Sequence, residues 1–204
     1  MLAQPCTARL TAPLLLSLAL LASTLPGAAR ADDSTGLSGW QPGPDAPLEL
    51  SRYMGRWYVV ARVANPVERG HVGSFHDYTL DGDQRVRIQY HFRESFDQPL
   101  QVMPLRARVD DHSGNRRWRT WFYKVVPTRT EVLEIADDYS WALVGYPGRD
   151  MAWVMAREPR MSQATYYALS EKLADHGFNT DRMRRVLHEP DQVQRLGFET
   201  ARRN

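Results

Sequence analysis

Three features of the sequence predict an all-β fold, built as a sandwich or a barrel and followed by one helix. The first is strict alternation in Arg85–Arg93, RVRIQYHFR, where Val86, Ile88, Tyr90 and Phe92 are interleaved with Arg85, Arg87, Gln89, His91 and Arg93. That period of two marks a strand with one dry face and one wet face. The second is the recurrence of similar segments at short, regular spacing, separated by turn material such as DGD, DDHSGN and YPGRD. The third is a single stretch of helical period, MSQATYYALSEKLADHGF, that follows all of them.

Taken in order, the strand-like segments are Trp57–Val63, Val72–Leu80, Arg85–Arg93, Gln101–Val109, Trp118–Val126, Glu131–Ala136, Trp141–Tyr146 and Met151–Arg157, about eight in all. Within Trp118–Val126, Trp118 and Phe122 share one face while Trp121 and Tyr123 share the other, and alternation leaves open which face enters the interior. The helix has Ser162 placed as its N-cap, an apolar stripe at Tyr166, Leu169 and Leu173, and Gly177 where a C-terminal cap belongs. A further short strand is expected around Met183–Leu187, ahead of a polar tail over 191–204.

The N-terminus reads as a targeting segment. An apolar run of 16 residues, Leu10–Leu25, follows Arg9 and precedes PGAARADD, in which Ala29 and Ala31 satisfy a small-x-small cleavage rule. Spanning a bilayer takes roughly 20 apolar residues, so a secretory signal peptide over 1–31, cleaved after Ala31, is expected. The next segment, 32–47, DDSTGLSGWQPGPDAP, is a flexible leader by its Gly, Pro, Ser and Asp content.

Cleavage removes Arg9 and Arg30 and no acidic residue, which leaves 24 Lys and Arg against 24 Asp and Glu. A formally neutral chain lacks the excess positive charge that nucleic acid requires. The one cysteine, Cys6, departs with the signal, so the exported chain has no thiol, disulfide or thiolate metal site and depends on core packing. Cys6 also precedes the apolar run, away from the position of an acylated lipoprotein cysteine. The protein is therefore expected to be soluble and exported, periplasmic or secreted, with no stable membrane anchor, at most transient membrane contact, and an oligomeric state left open.

Catalytic patterns are thin. No Gly-x-Ser-x-Gly, His-Glu-x-x-His, phosphate-loop or Gly-x-Gly-x-x-Gly motif occurs. His71, His76, His91, His112, His176 and His188 are scattered; His76 and His91 could meet across neighbouring strands, but two histidines without a third ligand seldom hold a metal. No metal, cofactor or catalytic residue is assigned. Arg52, Arg69, Arg106, Arg129 and Arg149 read as solvated faces, with one or two near the rim available to a carboxylate or phosphate head group.

Four stretches in order, LSRYMGRWYVVAR, NPVERG, DDYSWALVGYPGRDMAWVMAREP and HGFNTDRMRRV, resemble the successive landmarks of the lipocalins, closest to the bacterial members related to apolipoprotein D. The resemblance runs from about Leu48 to Pro190 and makes 48–190 the folded domain. It implies an eight-stranded antiparallel up-and-down barrel with one C-terminal α-helix packed on its side. It also implies that Trp57 of the Gly-x-Trp-Tyr motif plugs the closed end beneath Arg157, a cation–π stack. Gly55, Tyr58, Asp138 and Tyr139 join that closure, Gly55 by turning sharply into the first strand.

If Arg157 points inward, alternation places Met151, Trp153 and Met155 on the same face. The family pattern adds Ala142, Val144 and Tyr146, and Ile88, Tyr90 and Phe92 complete an aromatic, adaptable wall suited to an alkyl chain. The function expected is carriage of a small hydrophobic ligand, a fatty acid or lysophospholipid. A lipocalin-like enzyme, as isomerase or lipid-modifying activity, is the second reading. An envelope protein-interaction module with a filled barrel is the third.

Overall fold

The computed structural model describes residues 46–63, 65–122 and 126–202. The signal segment 1–31 and all but the end of the leader 32–47 lie outside the described residues. Eight antiparallel strands follow a one-turn helix α1 (Leu50–Tyr53): β1 (Gly55–Val63), β2 (Val72–Leu80), β3 (Arg85–Arg93), β4 (Gln101–Asp110), β5 (Arg117–Phe122), β6 (Val126–Ile135), β7 (Trp141–Tyr146) and β8 (Met151–Ala156). Each pairs with the next, and β1 pairs with both β8 and β2, which closes the sheet into a barrel. Helix α2 (Gln163–Asp175) and a short strand β9 (Met183–Arg185) come after it.

The expected strands are present with one revision. The segment read as Trp118–Val126 is split, because Val126 opens β6 and pairs with Phe122 of β5. No Gly, Pro, Asn or Asp lies between them, whereas Pro127, which looks like a breaker, lies in the strand opposite Trp121.

Two apolar layers account for the sequence pattern. Inside the barrel, Val86, Ile88, Leu105, Ala107, Val109 and Val132 pack among the aromatic residues of the closed end. Outside it, Tyr166, Leu169 and Leu173 of α2 cover Val60, Leu143, Ala152 and Val154 of β1, β7 and β8. Strands β7 and β8 are thus dry on both faces, which is why WALVGY and MAWVMA are almost continuously apolar while β3 alternates. Gly145 is required beneath the helix exit, since a Cβ there would fall 2.4 Å from the Phe178 ring. The helix is capped as its sequence indicates: Ser162 Oγ accepts from Thr165 N at 3.0 Å, and Gly177, at φ +84°, lets Phe178 N donate to Leu173 O at 3.1 Å.

One end of the barrel is sealed. Trp57 is fully buried, its Nε1 donating to Tyr53 O at 2.7 Å, and the Arg157 guanidinium lies 3.9 Å from the ring centroid. The same guanidinium donates to Arg56 O at 2.6 Å and to Arg52 O at 2.7 Å, satisfying a carbonyl that α1 leaves open. Gly55 turns between them at φ +90°. Tyr139, itself at φ +60°, accepts from Glu49 N at 3.0 Å and carries the Arg52 guanidinium 4.1 Å above its ring. The Asp138 carboxylate accepts from Ser140 N at 2.9 Å, and these bonds hold it below the usual carboxylate range. Tyr58 points outward, edge-on to His188 at 5.7 Å.

Truncating the plug removes a large, fully packed aromatic side chain, so Trp57→Ala is expected to cost about 3–5 kcal/mol in urea unfolding. Arg157→Ala, which deletes the cover and its two carbonyl bonds, is expected to cost about 1–3 kcal/mol. A loss under about 1 kcal/mol for Trp57→Ala would remove the plug from this role.

Candidate functional site

Above the sealed end the barrel encloses a cavity of about 300 Å³. Its floor is Tyr53, Tyr78, Trp118 and Met155; its walls include Ile88, Leu105, Val132, Val144 and Trp153; near the mouth stand Tyr146, Met151 and Thr128. Of the side chains expected to form the lumen, Ile88, Val144, Tyr146, Met151, Trp153 and Met155 line it. Ala142, Tyr90 and Phe92 point inward without reaching it. Ala142 is fully buried in the interior core. Tyr90 and Phe92 are covered by His71, whose ring stacks on Phe92 at 3.8 Å and whose Nδ1 bonds the Tyr90 hydroxyl at 2.9 Å. The face left open for β5 is also settled: Trp118 and Thr120 look into the cavity, and Trp121 does not.

His76 and His91 do not meet. His76 pairs with Tyr90 and lines the lumen, whereas His91 pairs with Phe75 and stacks on it outside, at 4.4 Å. Among the described residues no group of three or more His, Cys, Asp or Glu is placed to hold a metal.

The residues that strand periodicity missed come from the loop between β1 and β2. Asn65 Oδ1 accepts from the backbone N of Val67 and Glu68, each at 3.0 Å, a tight Asx turn that carries the loop over the mouth. Glu68 is 5% exposed, and its carboxylate lines the cavity. Its Oε2 accepts from Asn65 Nδ2 at 2.6 Å and from Trp153 Nε1 at 2.8 Å, while Oε1 has no donor among the described residues. NPVERG is one of the sequence landmarks, and its role here is to aim a carboxylate into an apolar chamber.

A second charge lies buried beside the first. A register shift between Val59 and Ala61 turns Arg62 into line with Trp153, fully buried. Its guanidinium grips the Glu199 carboxylate at 2.8 and 2.7 Å and donates to His71 O at 3.1 Å. Burial opposes the charge on Arg62 most strongly, but the Glu199 bonds together with the nearby Glu68 carboxylate and the Tyr90 hydroxyl outweigh it and leave the pKa above the ordinary value. Glu199 also accepts from Gly70 N at 3.1 Å, and Arg202 donates to Arg69 O and Val67 O at 2.9 and 3.1 Å. The C-terminal segment therefore holds the loop across the mouth.

Burial keeps His71 and His76 neutral, pushing the pKa of each down to about 3, and lowers that of His188. His76 Nδ1 meets the Tyr78 hydroxyl at 2.9 Å, and its Nε2 has no partner among the described residues. An unfolded histidine titrates near 6.5, so between that pH and about 3 the unfolded chain binds protons that the folded chain does not. Stability is complete above about pH 6.5 and is lost as pH falls towards 3. The urea midpoint is expected to drop steadily from about pH 7 to about pH 4.5, and His76→Leu is expected to flatten that slope; an unchanged slope would take His76 out of the linkage.

Comparison with known proteins agrees with this geometry. A family model described as a lipocalin-like domain matches residues 48–188, more than half of the chain. The chain is 26% identical over 149 residues to temperature-induced lipocalin-1 of Arabidopsis thaliana, covering 68% of this chain and 78% of that protein. It is 23% identical over 141 residues to the outer membrane lipoprotein Blc of Vibrio cholerae, covering 69% and 82%. Among solved structures, insecticyanin from the tobacco hornworm Manduca sexta superposes with a TM-score of 0.57 at 14% identity, over 80% of this chain and 91% of that one. By its family model, its closed barrel and its plugged end, the chain belongs to the lipocalin family.

Proposed function

We propose that this lipocalin carries a single-chain lipid in its lumen, with the alkyl chain on the aromatic floor and the head group at the Glu68 mouth. The apolar cavity of about 300 Å³ carries this reading. It falls at the small end of ligand-pocket volumes, and its floor of Tyr53, Tyr78, Trp118 and Met155 suits methylene groups. Ten buried methylenes supply about 8 kcal/mol, enough for micromolar affinity with few polar contacts. The cavity favours a carrier over a filled barrel. The relatives, named as lipocalins and a lipoprotein, favour a binding protein over an enzyme.

Of the two cargoes that the sequence suggests, Glu68 separates them. A fatty acid would bring a second carboxylate to a mouth that already holds one in a dry setting, and like charges there repel strongly. A zwitterionic lysophospholipid has no net charge and offers an ammonium to the free Oε1. We also propose export to the periplasm with cleavage after Ala31, in keeping with the outer membrane lipoprotein relatives. Among the described residues no helix is long and apolar enough to cross a membrane.

Tryptophan fluorescence on titration with lysophosphatidylcholine and with palmitate tests the cargo. Lysophosphatidylcholine is expected to bind at least about tenfold more tightly, a difference of ~1.4 kcal/mol, and Glu68→Gln is expected to close the gap by strengthening palmitate. Trp153→Ala, which loses a lumen wall and a Glu68 donor, is expected to weaken binding more than it weakens folding. Binding of neither lipid would end the carrier reading, and tighter binding of palmitate by the unaltered protein would end the assignment to Glu68.

A further inference from the structure

The outer face of β3–β6 carries a feature that lumen binding does not use. Arg85 pairs directly with Arg108, Arg108 with Arg119, and Arg119 with Arg129, an unbroken row of four arginines across four strands. In the next row towards the mouth, Arg87 faces Arg106, and Arg106 faces Trp121. All six arginines are exposed, and none has an ion-pair partner among the described residues. Several arginines elsewhere are matched, as in Arg56 with Asp77 at 2.9 Å, Arg182 with Asp150 at 3.2 Å and Arg202 with Glu94 at 2.7 Å, and the unmatched ones, such as Arg69 and Arg149, do not stand in a cross-strand row. The row on the far side is also neutralised, with Arg117 beside Asp110 at 3.4 Å and opposite Glu131.

Like charges directly opposite on a sheet destabilise it. Two such rows are favourable only when counter-charge arrives from outside, so the occupant is anionic. Its nature follows from what lies nearer the mouth. On the same outward face β4 continues from Arg108 and Arg106 to Pro104 and Val102, and Leu100 precedes the strand. Val102 and Leu100 are 47% and 43% exposed, and Val67 of the mouth loop is 42% exposed. The face thus runs from apolar at the rim, through a half-buried Trp121, to cationic below. A lipid interface has this order, with acyl boundary, aromatic level and phosphate. A soluble polyanion would satisfy the arginines and leave Val102 and Leu100 in water.

We propose that the β3–β6 face docks the barrel on an anionic phospholipid surface, rim side towards the acyl boundary, so that the mouth opens beside the lipid. The docking does not depend on which lipid the lumen takes.

Sedimentation of the protein with phosphatidylcholine vesicles, with and without phosphatidylglycerol, tests it. Binding is expected only with phosphatidylglycerol and is expected to fall as salt rises through the physiological range, where screening acts within about 8 Å. Each arginine near the surface is worth about fivefold in affinity, so Arg108→Gln/Arg119→Gln is expected to weaken vesicle binding roughly twenty-five-fold. Its thermal unfolding should stay unchanged or rise, because the double substitution relieves repulsion. Leu100→Ser/Val102→Ser is expected to weaken vesicle binding and leave heparin binding unchanged. Arg182→Gln, beside α2, removes the same charge elsewhere and is expected to have little effect. Equal binding to neutral vesicles, an equal loss for Arg182→Gln, or tighter binding to heparin than to the vesicles would each overturn the proposal.

Discussion

The stack of Arg157 on Trp57 is the contact from which the rest of the barrel takes its direction. A closed sheet is open at both ends until side chains fill it, and the choice of end to fill decides where a ligand enters. Trp57 fills one end with a fully buried indole, and Arg157 ties that indole to the backbone of α1 and β1 at Arg52 and Arg56. Guanidinium is suited to this place, because it offers a flat face to the ring and in-plane N–H groups to two carbonyls at once. Lysine could donate to the carbonyls but has no flat face for the ring. With this end sealed, the loop bearing Glu68 lies at the opposite end of the barrel, and the lumen grades from aromatic floor to polar mouth.

The second constraint is that β1 must serve different neighbours along its length. Near the closed end it pairs with β2, from Gly55 opposite Tyr78 to Tyr58 opposite Phe75. Beyond that point β9 takes over, with Ala61 opposite Arg185 and Val63 opposite Met183. The register shift beside Val59 accompanies the handover and buries Arg62. A buried guanidinium without a carboxylate is untenable, and the carboxylate comes from Glu199, 137 positions away. The tail that delivers it then bonds the mouth loop. A local irregularity in one strand thereby recruits the end of the chain to shape the entrance.

How much of this was legible depends on how far each cause extends along the chain. Met151, Trp153 and Met155 were readable because one anchored residue, Arg157, fixes the parity of a regular strand. The α2 boundaries were readable from Ser162 and Gly177, which act within a turn. Tyr90 and Phe92 face inward as their period of two indicates, but periodicity gives a face and not what lies over it, and His71 from another segment covers both. Arg62 has the parity of an outward residue relative to Trp57 and Val59, and only the register shift reverses it. The break between β5 and β6 has no signal in the sequence, because no Gly, Pro, Asn or Asp lies between Phe122 and Val126. The arginine rows were hidden in plain sequence: Arg106 and Arg129 read singly as solvated positions, and only the strand register brings them into ranks with Arg108, Arg119 and Arg85.

Formal neutrality conceals the most consequential arrangement. Residues 32–204 balance 24 cations against 24 acids, yet the fold partitions them by place. Inside, Arg62 is gripped by Glu199, and among the described residues that line the lumen Glu68 is the one that carries a carboxylate. Outside, six arginines stand unmatched on one face. On the two proposals made above, these fields act on lipids in opposite senses, the outer one gathering anionic headgroups and the inner one repelling an anionic head from the lumen. A barrel so charged can rest on an acidic bilayer without filling itself with the lipids that hold it there. The lumen proposed for a single-chain lipid then stays open to a neutral or zwitterionic one.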